Sequence, residues 1–207
     1  MNTARPEPNL PWLTSLIVLL CSGLYFLFGP ANAQLVYDRE RITQGDFYTL
    51  ISGHFIHSDP SHLFWNLAGL LIIGSLLEQK HHFSAWQYMG LLLAAILTID
   101  LYLWLQEPSL IRYCGLSGLL NAQLALLLGL SWKQERHWTL VVITLAILLK
   151  IGLEWHLKTA LLTQTSWVTT PSAHGVGLLT GGVFFLLSDK KTAAGSTIFV
   201  PILAAKD

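Results

Sequence analysis

The chain consists of long apolar blocks separated by shorter polar stretches. Six blocks are each long enough to form a helix, and they cover residues 11–28, 62–77, 83–105, 116–130, 138–155 and 172–187. About 20 apolar residues are enough for a helix to cross the hydrocarbon core of a bilayer. The pattern therefore predicts an all-α membrane protein built as a bundle of six transmembrane helices.

The composition agrees with this pattern. The 207 residues are 53% hydrophobic and only 12% charged, whereas soluble domains carry about 25% charged residues. We expect one helical domain over residues 11–187, between short cytoplasmic tails at 1–10 and 188–207. The formal net charge is zero, which gives a nucleic-acid partner no electrostatic support. The two cysteines, Cys21 and Cys114, do not indicate a disulfide framework.

The first segment has two possible interpretations, a cleaved signal peptide or a retained transmembrane helix. Ala31 and Ala33 follow it and resemble a signal-peptidase site. The run is long for a signal peptide and its leading stretch is barely basic, so we favour a retained helix. A loop of about 30 residues follows, at 31–61, and its aromatic stretch 47–57 suits the membrane interface.

Basic residues favour a cytoplasmic N-terminus. With that orientation the inner side holds Arg5, Lys80, Lys133, Arg136, Lys190, Lys191 and Lys206. The outer side holds Arg39, Arg41, Arg112 and Lys158. The inner side carries the excess, as the positive-inside rule requires.

Polar residues begin three of the segments. Segments two, four and six would all run inward, and their outer ends carry His62 and Asn66, Ser117, and His174. Polar groups inside membrane segments are costly and usually functional, and here all four would lie at one depth. Segments four and six have only about 15 apolar residues, which predicts short helices below a water-filled cavity.

Ser117 and His174 suit nucleophilic catalysis. A serine hydroxyl needs a base to take its proton, and a histidine is a suitable base. Each lies beside a face of small residues, which allows close helix approach in lipid. The faces are Gly118, Ala122, Ala125 and Gly129 on segment four, and Ala173, Gly177 and Gly181 on segment six. Without the serine and histidine, these faces would indicate ordinary packing.

His62 and Asn66 are four residues apart, so they share one helical face. Both can donate hydrogen bonds to a developing oxyanion. The alternative is a helix cap with a structural polar pair. No acid is predicted to orient His174, because Asp100 is taken as the only carboxylate inside a segment. The sequence therefore favours a Ser–His dyad over a triad.

Other chemistry is less well supported. His54, His57 and His62 could suggest a metal site, but they are spread over a loop and lack a tight ligand spacing with a carboxylate. We expect no metal and no cofactor. His81 and His82 are expected to be solvated at the inner side. Cys114 is a conceivable nucleophile without a base, and packing is the better interpretation. Glu78 is predicted to be a structural anchor.

At these residues the chain resembles the rhomboid family of intramembrane serine proteases. The resemblance covers roughly residues 45–187 and rests on three motifs: Gly115-Leu116-Ser117-Gly118, His62 with Asn66, and Ala173-His174 with Gly177 and Gly181. His57 and Glu78 also fit the pattern. The resemblance implies Ser117 as nucleophile, His174 as general base, and His62, Asn66 and the Ser117 backbone N–H as oxyanion donors. Gly115, Gly118, Ala173, Gly177, Gly181, His57 and Glu78 would give structural support.

The chain also departs from the family. A Trp-Arg pair is frequent in the first loop, and Tyr48-Thr49 stand at the matching positions. An aromatic residue often follows the serine by one turn, and here it is Asn121. The compact size and the Tyr113-Cys114 lead-in resemble the bacterial rhombosortase branch. That likeness implies membrane-anchored substrates with a C-terminal Gly-Gly motif, a membrane helix and a basic tail, and an inner-membrane enzyme whose active site opens to the periplasm.

Two further functions remain open. A non-catalytic rhomboid-like binder of membrane proteins would be expected to have a broken dyad. A small channel or transporter would carry polar groups through the whole bundle, whereas here they lie at one end. If the protein is a protease, the bundle must open to let the substrate backbone reach Ser117. We expect this motion in the loop 47–61 or around segment five.

Overall fold

The computed structural model describes residues 10–157, 159, 161, 167 and 170–195. Within them the chain is mainly helical. The helices are α1 (Trp12–Phe28), α2 (Arg39–Thr43), α3 (Tyr48–Ser52), α4 (Pro60–Ser75), α5 (Ala85–Gln106), α6 (Ser117–Glu135), α7 (Trp138–Leu157) and α8 (Pro171–Gly195). A 3-10 turn spans Gly53–Phe55 and a π-helical turn spans Leu76–Lys80. Two short strands, β1 (Tyr37–Asp38) and β2 (Arg112–Tyr113), pair antiparallel.

Each of the six predicted segments forms one of the long helices. Part of the predicted tails, at 1–9 and 196–207, lies outside the described residues, as does most of the threonine-rich stretch 156–170. Four helices are long and apolar enough to cross a membrane: Pro60–Lys80, Ala85–Gln106, Trp138–Leu157 and Pro171–Ser188. The apolar helix α1 is shorter, with 17 residues. This composition is that of a helical membrane bundle.

Local sequence signals fix the helix starts. Asp59 caps α4 by accepting a hydrogen bond from the His62 backbone N–H at 2.8 Å, and Pro60 occupies the first helical position. Ser84 and Gln87 form a capping box at the start of α5. These caps place His62 in the first turn of α4.

The prediction of short fourth and sixth helices is wrong. Helix α6 has 19 residues and α8 has 25. Helical hydrogen bonding continues through polar residues beyond the apolar runs, and α6 ends only at Arg136, which adopts a left-handed conformation with φ 47°. Hydropathy marks where a helix leaves an apolar environment, and this need not be where its backbone stops being helical.

Helix α6 lies in the centre, between α4, α5 and α8. Its contact with α8 uses the predicted small-residue faces. A Cβ atom on Gly177 would overlap the carbonyl oxygen of Gly118, and one on Gly181 would overlap that of Ala122. The two helix backbones therefore touch directly. Helix α7 lies at the edge of the bundle, and Glu154 is the only residue within it that is buried.

Glu78 joins the π-helical turn after α4 to the start of α1. Its Oε1 accepts hydrogen bonds from the backbone N–H and the hydroxyl of Thr14, at 2.7 and 2.5 Å, and its Oε2 accepts one from the Leu13 N–H at 3.2 Å. These are N–H groups of the first helical turn, which have no partner inside a helix. The contacts support the structural role predicted for Glu78.

The loop between α1 and α4 is more ordered than the sequence predicts, because it contains a strand and short helices. Arg39 donates hydrogen bonds to the carbonyls of Leu103, Trp104, Glu107 and Leu110 at the end of α5. Asp38 accepts a hydrogen bond from Arg112 at 2.8 Å. Burial raises the pKa of Asp38, but hydrogen bonds from Arg112 and the Arg41 and Glu40 amides outweigh it and hold that pKa below its usual range.

Candidate active site

Ser117 occupies the first position of α6, directly after a tight turn. Gly115 in that turn has φ 121°, a conformation that other residues rarely adopt. The turn is held on both sides, since the Gly115 N–H donates to the Gly53 carbonyl at 3.0 Å and the Tyr113 hydroxyl donates to the Gly115 carbonyl at 3.1 Å. Strand β2 thus leads into the serine through a fixed turn.

The structure brings Ser117 and His174 together. The Oγ of Ser117 lies 2.8 Å from Nε2 of His174, which is in the first turn of α8. The His174 side chain is 14% exposed, and Ser117 is partly exposed. The close α6–α8 packing at Gly118 and Gly177 sets this distance, because the two side chains extend from neighbouring positions on the two helices.

A third side chain, Glu154, contacts this pair. Its Oε2 lies 3.2 Å from Nδ1 of His174, so the expectation that no acid lies beside His174 is wrong, as is the statement that Asp100 is the only carboxylate inside a segment. Asp100 instead pairs with His54 at 3.0 Å. The sequence did contain a signal for Glu154, since Lys150 and Glu154 are four residues apart inside an apolar segment and form an ion pair at 2.7 Å.

His62 and Asn66 face the turn that precedes Ser117. A Cβ atom on Gly115 would lie 2.6 Å from Nε2 of His62 and 3.8 Å from Nδ2 of Asn66. Asn66 is buried, and its Nδ2 has no hydrogen-bond partner among the described residues. The Oγ of Ser58 lies 3.0 Å from Nδ1 of His62 and also donates to Asp59 at 2.8 Å. Two polar groups therefore converge on the Gly115 backbone, and one of them is an unpaired donor.

His57 packs beneath this site. Its ring meets the His62 ring edge-on, with centroids 5.0 Å apart, and neither ring nitrogen has a hydrogen-bond partner among the described residues. Burial first, and then the neighbouring His62, lower the pKa of His57 to about 3. The ring is therefore neutral at physiological pH and supports the His62 imidazole by packing.

The remaining candidates have other surroundings. Among the described residues, no group of three His, Cys, Asp or Glu side chains is placed to hold a metal ion. Burial first, and then the negative charge of Asp59, raise the pKa of Cys114 to about 12, which leaves its thiol protonated and poorly nucleophilic. The expectation that His81 is solvated is wrong, because it is half-buried and lies 3.2 Å from Ser131; His82 is exposed.

The fold and the four apolar helices define the class of protein, an integral membrane protein. Residues 44–189 match the rhomboid domain, and the chain belongs to the rhomboid family. Members of this family are generally intramembrane serine proteases that act on substrates in the lipid bilayer, although some are inactive. A comparison with curated proteins found no significant match.

Proposed function

We propose that the chain is an intramembrane serine endopeptidase, with Ser117 as nucleophile and His174 as general base. The observation that carries the proposal is the 2.8 Å contact between Ser117 Oγ and His174 Nε2 at the partly exposed start of two packed helices. A nucleophile within hydrogen-bond reach of its base is the geometric requirement for covalent catalysis. A non-catalytic binder would have no need for this pairing.

The first half of the reaction forms an acyl-enzyme. His174 Nε2 takes the hydroxyl proton of Ser117 as Oγ attacks the scissile carbonyl carbon. The carbonyl oxygen becomes an oxyanion, and His174 then gives the proton to the leaving amine as the C–N bond breaks. In the second half, water loses a proton to His174 and attacks the ester, which releases the new carboxylate and restores the Ser117 hydroxyl.

The oxyanion would be stabilised by donors around Gly115. Asn66 Nδ2 has an unpaired N–H for this purpose, and the Ser117 N–H at the helix start is a second donor. His62 can contribute through Nε2 when the Ser58 hydroxyl turns its proton from Asp59 to Nδ1 of His62, because Nε2 then carries the imidazole proton.

We also propose how the six helices are arranged in the membrane. In the proposed topology all six cross the bilayer, including α1 and the less apolar α6, and both termini are cytoplasmic. Helices α4, α6 and α8 then run inward, so that the starts of all three, with the candidate site, lie near the outer face. In a bacterium this is the periplasmic side of the inner membrane, and cleavage would occur near the outer end of a substrate's transmembrane segment.

The substrate class proposed is exported protein anchored by a C-terminal transmembrane segment that follows a Gly-Gly motif. This part rests on the resemblance of the Tyr113-Cys114 lead-in and the compact chain to the rhombosortase branch. Processing of a reporter with such a C-terminus, compared with the same reporter carrying Val-Val in place of Gly-Gly, tests it directly.

The catalytic proposal is tested by labelling the purified protein in detergent with a fluorophosphonate probe, which reacts with activated serines. We expect wild type to be labelled, and both Ser117→Ala and His174→Ala to lose labelling. Ser131→Ala, which removes another serine of α6 that contacts His81, is the matched control and should be labelled as wild type. A folded wild type that resists labelling and leaves the reporter uncut would favour the binder.

A further inference from the structure

We propose that Glu154 is the third member of the site, a positioning residue that orients His174 for proton transfer. This inference rests on the proposed function and extends it from a dyad to a Ser117–His174–Glu154 triad. The three side chains come from three different helices, α6, α8 and α7. The contacts form one chain, with 2.8 Å from Ser117 to Nε2 and 3.2 Å from Nδ1 to the Glu154 carboxylate.

The burial of Glu154 indicates that its position is specific. Helix α7 exposes its apolar side chains at the edge of the bundle, and its one buried residue is this carboxylate. A charged group inside a membrane segment is expensive unless it is paired, and such groups usually mark function. If the residue only packed α7 against the bundle, a leucine would do so without the free-energy cost of burying a charge.

The carboxylate is fixed from two directions. Its Oε1 accepts a hydrogen bond from Lys150 at 2.7 Å, one turn earlier, and another from the Leu161 backbone N–H at 2.9 Å, in the chain after the helix. Its Oε2 is then directed to His174. Lys150 supplies a positive charge within the same helix, which balances the carboxylate and favours its ionised form.

An ionised carboxylate can only accept hydrogen bonds, and this selects one tautomer of His174. Nδ1 must carry the proton that Glu154 accepts, so Nε2 presents its lone pair to the Ser117 hydroxyl. When Nε2 takes the serine proton, the resulting imidazolium is stabilised by the carboxylate. The Nδ1 proton stays on His174 throughout, and Glu154 gains none.

Substitution of Glu154 distinguishes a role in orienting His174 from a role in packing alone. In Glu154→Gln the side chain keeps nearly the same size, but its amide can present N–H groups to Nδ1 and favour the wrong tautomer. We expect kcat for the reporter to fall by about 100-fold or more, KM to change little, and fluorophosphonate labelling to slow in parallel. Glu154→Asp keeps the charge and should recover part of the rate.

Asp100→Asn is the matched control. It also removes a carboxylate from a buried pair with a histidine, His54, but the hydrogen bond of that pair does not involve Ser117 or His174. We expect a lower thermal stability and a kcat near that of wild type. A wild-type kcat in Glu154→Gln would overturn the proposed role of Glu154 and leave the proposed protease function standing. A wild type that neither labels nor cleaves would overturn the proposed function, and with it the triad.

A measurement on wild type avoids variants that fail to fold. In ¹⁵N NMR of protein with labelled histidines, and with His174→Ala used for assignment, we expect the uncharged form of His174 to be the tautomer protonated at Nδ1. Its Nδ1 proton should be shifted downfield by the bond to Glu154. Finding the Nε2-protonated tautomer would overturn the proposal.

Discussion

Gly177 and Gly118 bring α8 and α6 into direct backbone contact. A Cβ atom on Gly177 would overlap the carbonyl oxygen of Gly118, and that carbonyl belongs to the residue after Ser117. Gly177 itself is one turn after His174. The contact therefore lies immediately beside the serine–histidine hydrogen bond and sets its length.

Gly177→Ala should push α6 and α8 apart at the site. Overpacking of this kind costs about 1–3 kcal/mol, and a displacement of about 1 Å can reduce a rate by about 100-fold. We expect a lower melting temperature and strongly slowed fluorophosphonate labelling. Gly182→Ala is the control, because a Cβ atom there meets nothing within 4 Å. Equal labelling of the two variants would contradict this account of the helix contact.

Asn66→Ala tests the oxyanion donors. Removing one such donor commonly costs about 100-fold in kcat, and we expect KM for the reporter to be little changed, because the bond forms mainly in the transition state. Steady-state cleavage assays with the Gly-Gly reporter measure this. Asn32→Ala removes a half-buried asparagine whose side chain bonds only to the local backbone, and it should cleave normally. A rise in KM without a fall in kcat would assign Asn66 to substrate binding.

The lowered pKa of His57 predicts that the stability of the protein depends on pH. Its pKa is lowered from 6.5 to about 3 in the folded protein, so between these values the unfolded state binds a proton that the folded state does not. The free energy of unfolding should therefore decrease as the pH falls from about 6.5 towards 3, by up to about 1.4 kcal/mol per pH unit.

Thermal unfolding in detergent across this pH range checks the prediction. His57→Phe removes the titrating group and should flatten the acid side of the curve, whereas His82→Gln, which removes an exposed histidine, should leave it unchanged. A curve for His57→Phe as steep as that of wild type would show that other groups cause the acid dependence.

Glu78→Gln should loosen α1 without disabling the chemistry. The substitution weakens three hydrogen bonds to Leu13 and Thr14, and losing a charged acceptor costs about 1.5–3 kcal/mol. We expect a lower melting temperature and normal fluorophosphonate labelling at low temperature. Glu107→Gln, a carboxylate whose backbone rather than side chain bonds Arg39, is the comparison. Loss of labelling in folded Glu78→Gln would indicate a more direct role.

Much of the helical architecture could be predicted, because apolar runs and caps are local features. The approach of Ser117 to His174 could also be anticipated, since small-residue faces beside them predict a close helix pair. Glu154 was not predicted, because Asp100 was taken as the only carboxylate inside a segment, although the spacing of Lys150 and Glu154 indicated an ion pair within one. Its contact with His174 depends on how α7 packs, which no local pattern encodes.

The two-stranded ribbon was missed for a similar reason. Tyr37 pairs with Tyr113 across a separation that spans α4 and α5, and two-residue strands leave no alternation to detect. The lengths of α6 and α8 were also misjudged, because hydropathy reports the surroundings of a helix and the backbone continues beyond them.

The hydrogen bond between the Gly115 N–H and the Gly53 carbonyl involves main-chain atoms alone. Because no side chain takes part in this hydrogen bond, side chains elsewhere in the first loop can change while the loop stays bonded to the turn before Ser117. Tyr48 and Thr49 illustrate the point, since they make their own contacts with Arg41 and the Asp46 carbonyl. The loop can thus vary in sequence at such positions, provided that position 115 keeps a residue able to hold φ near 121° and that position 53 stays glycine, because a Cβ atom there would lie 2.5 Å from the Tyr37 backbone nitrogen.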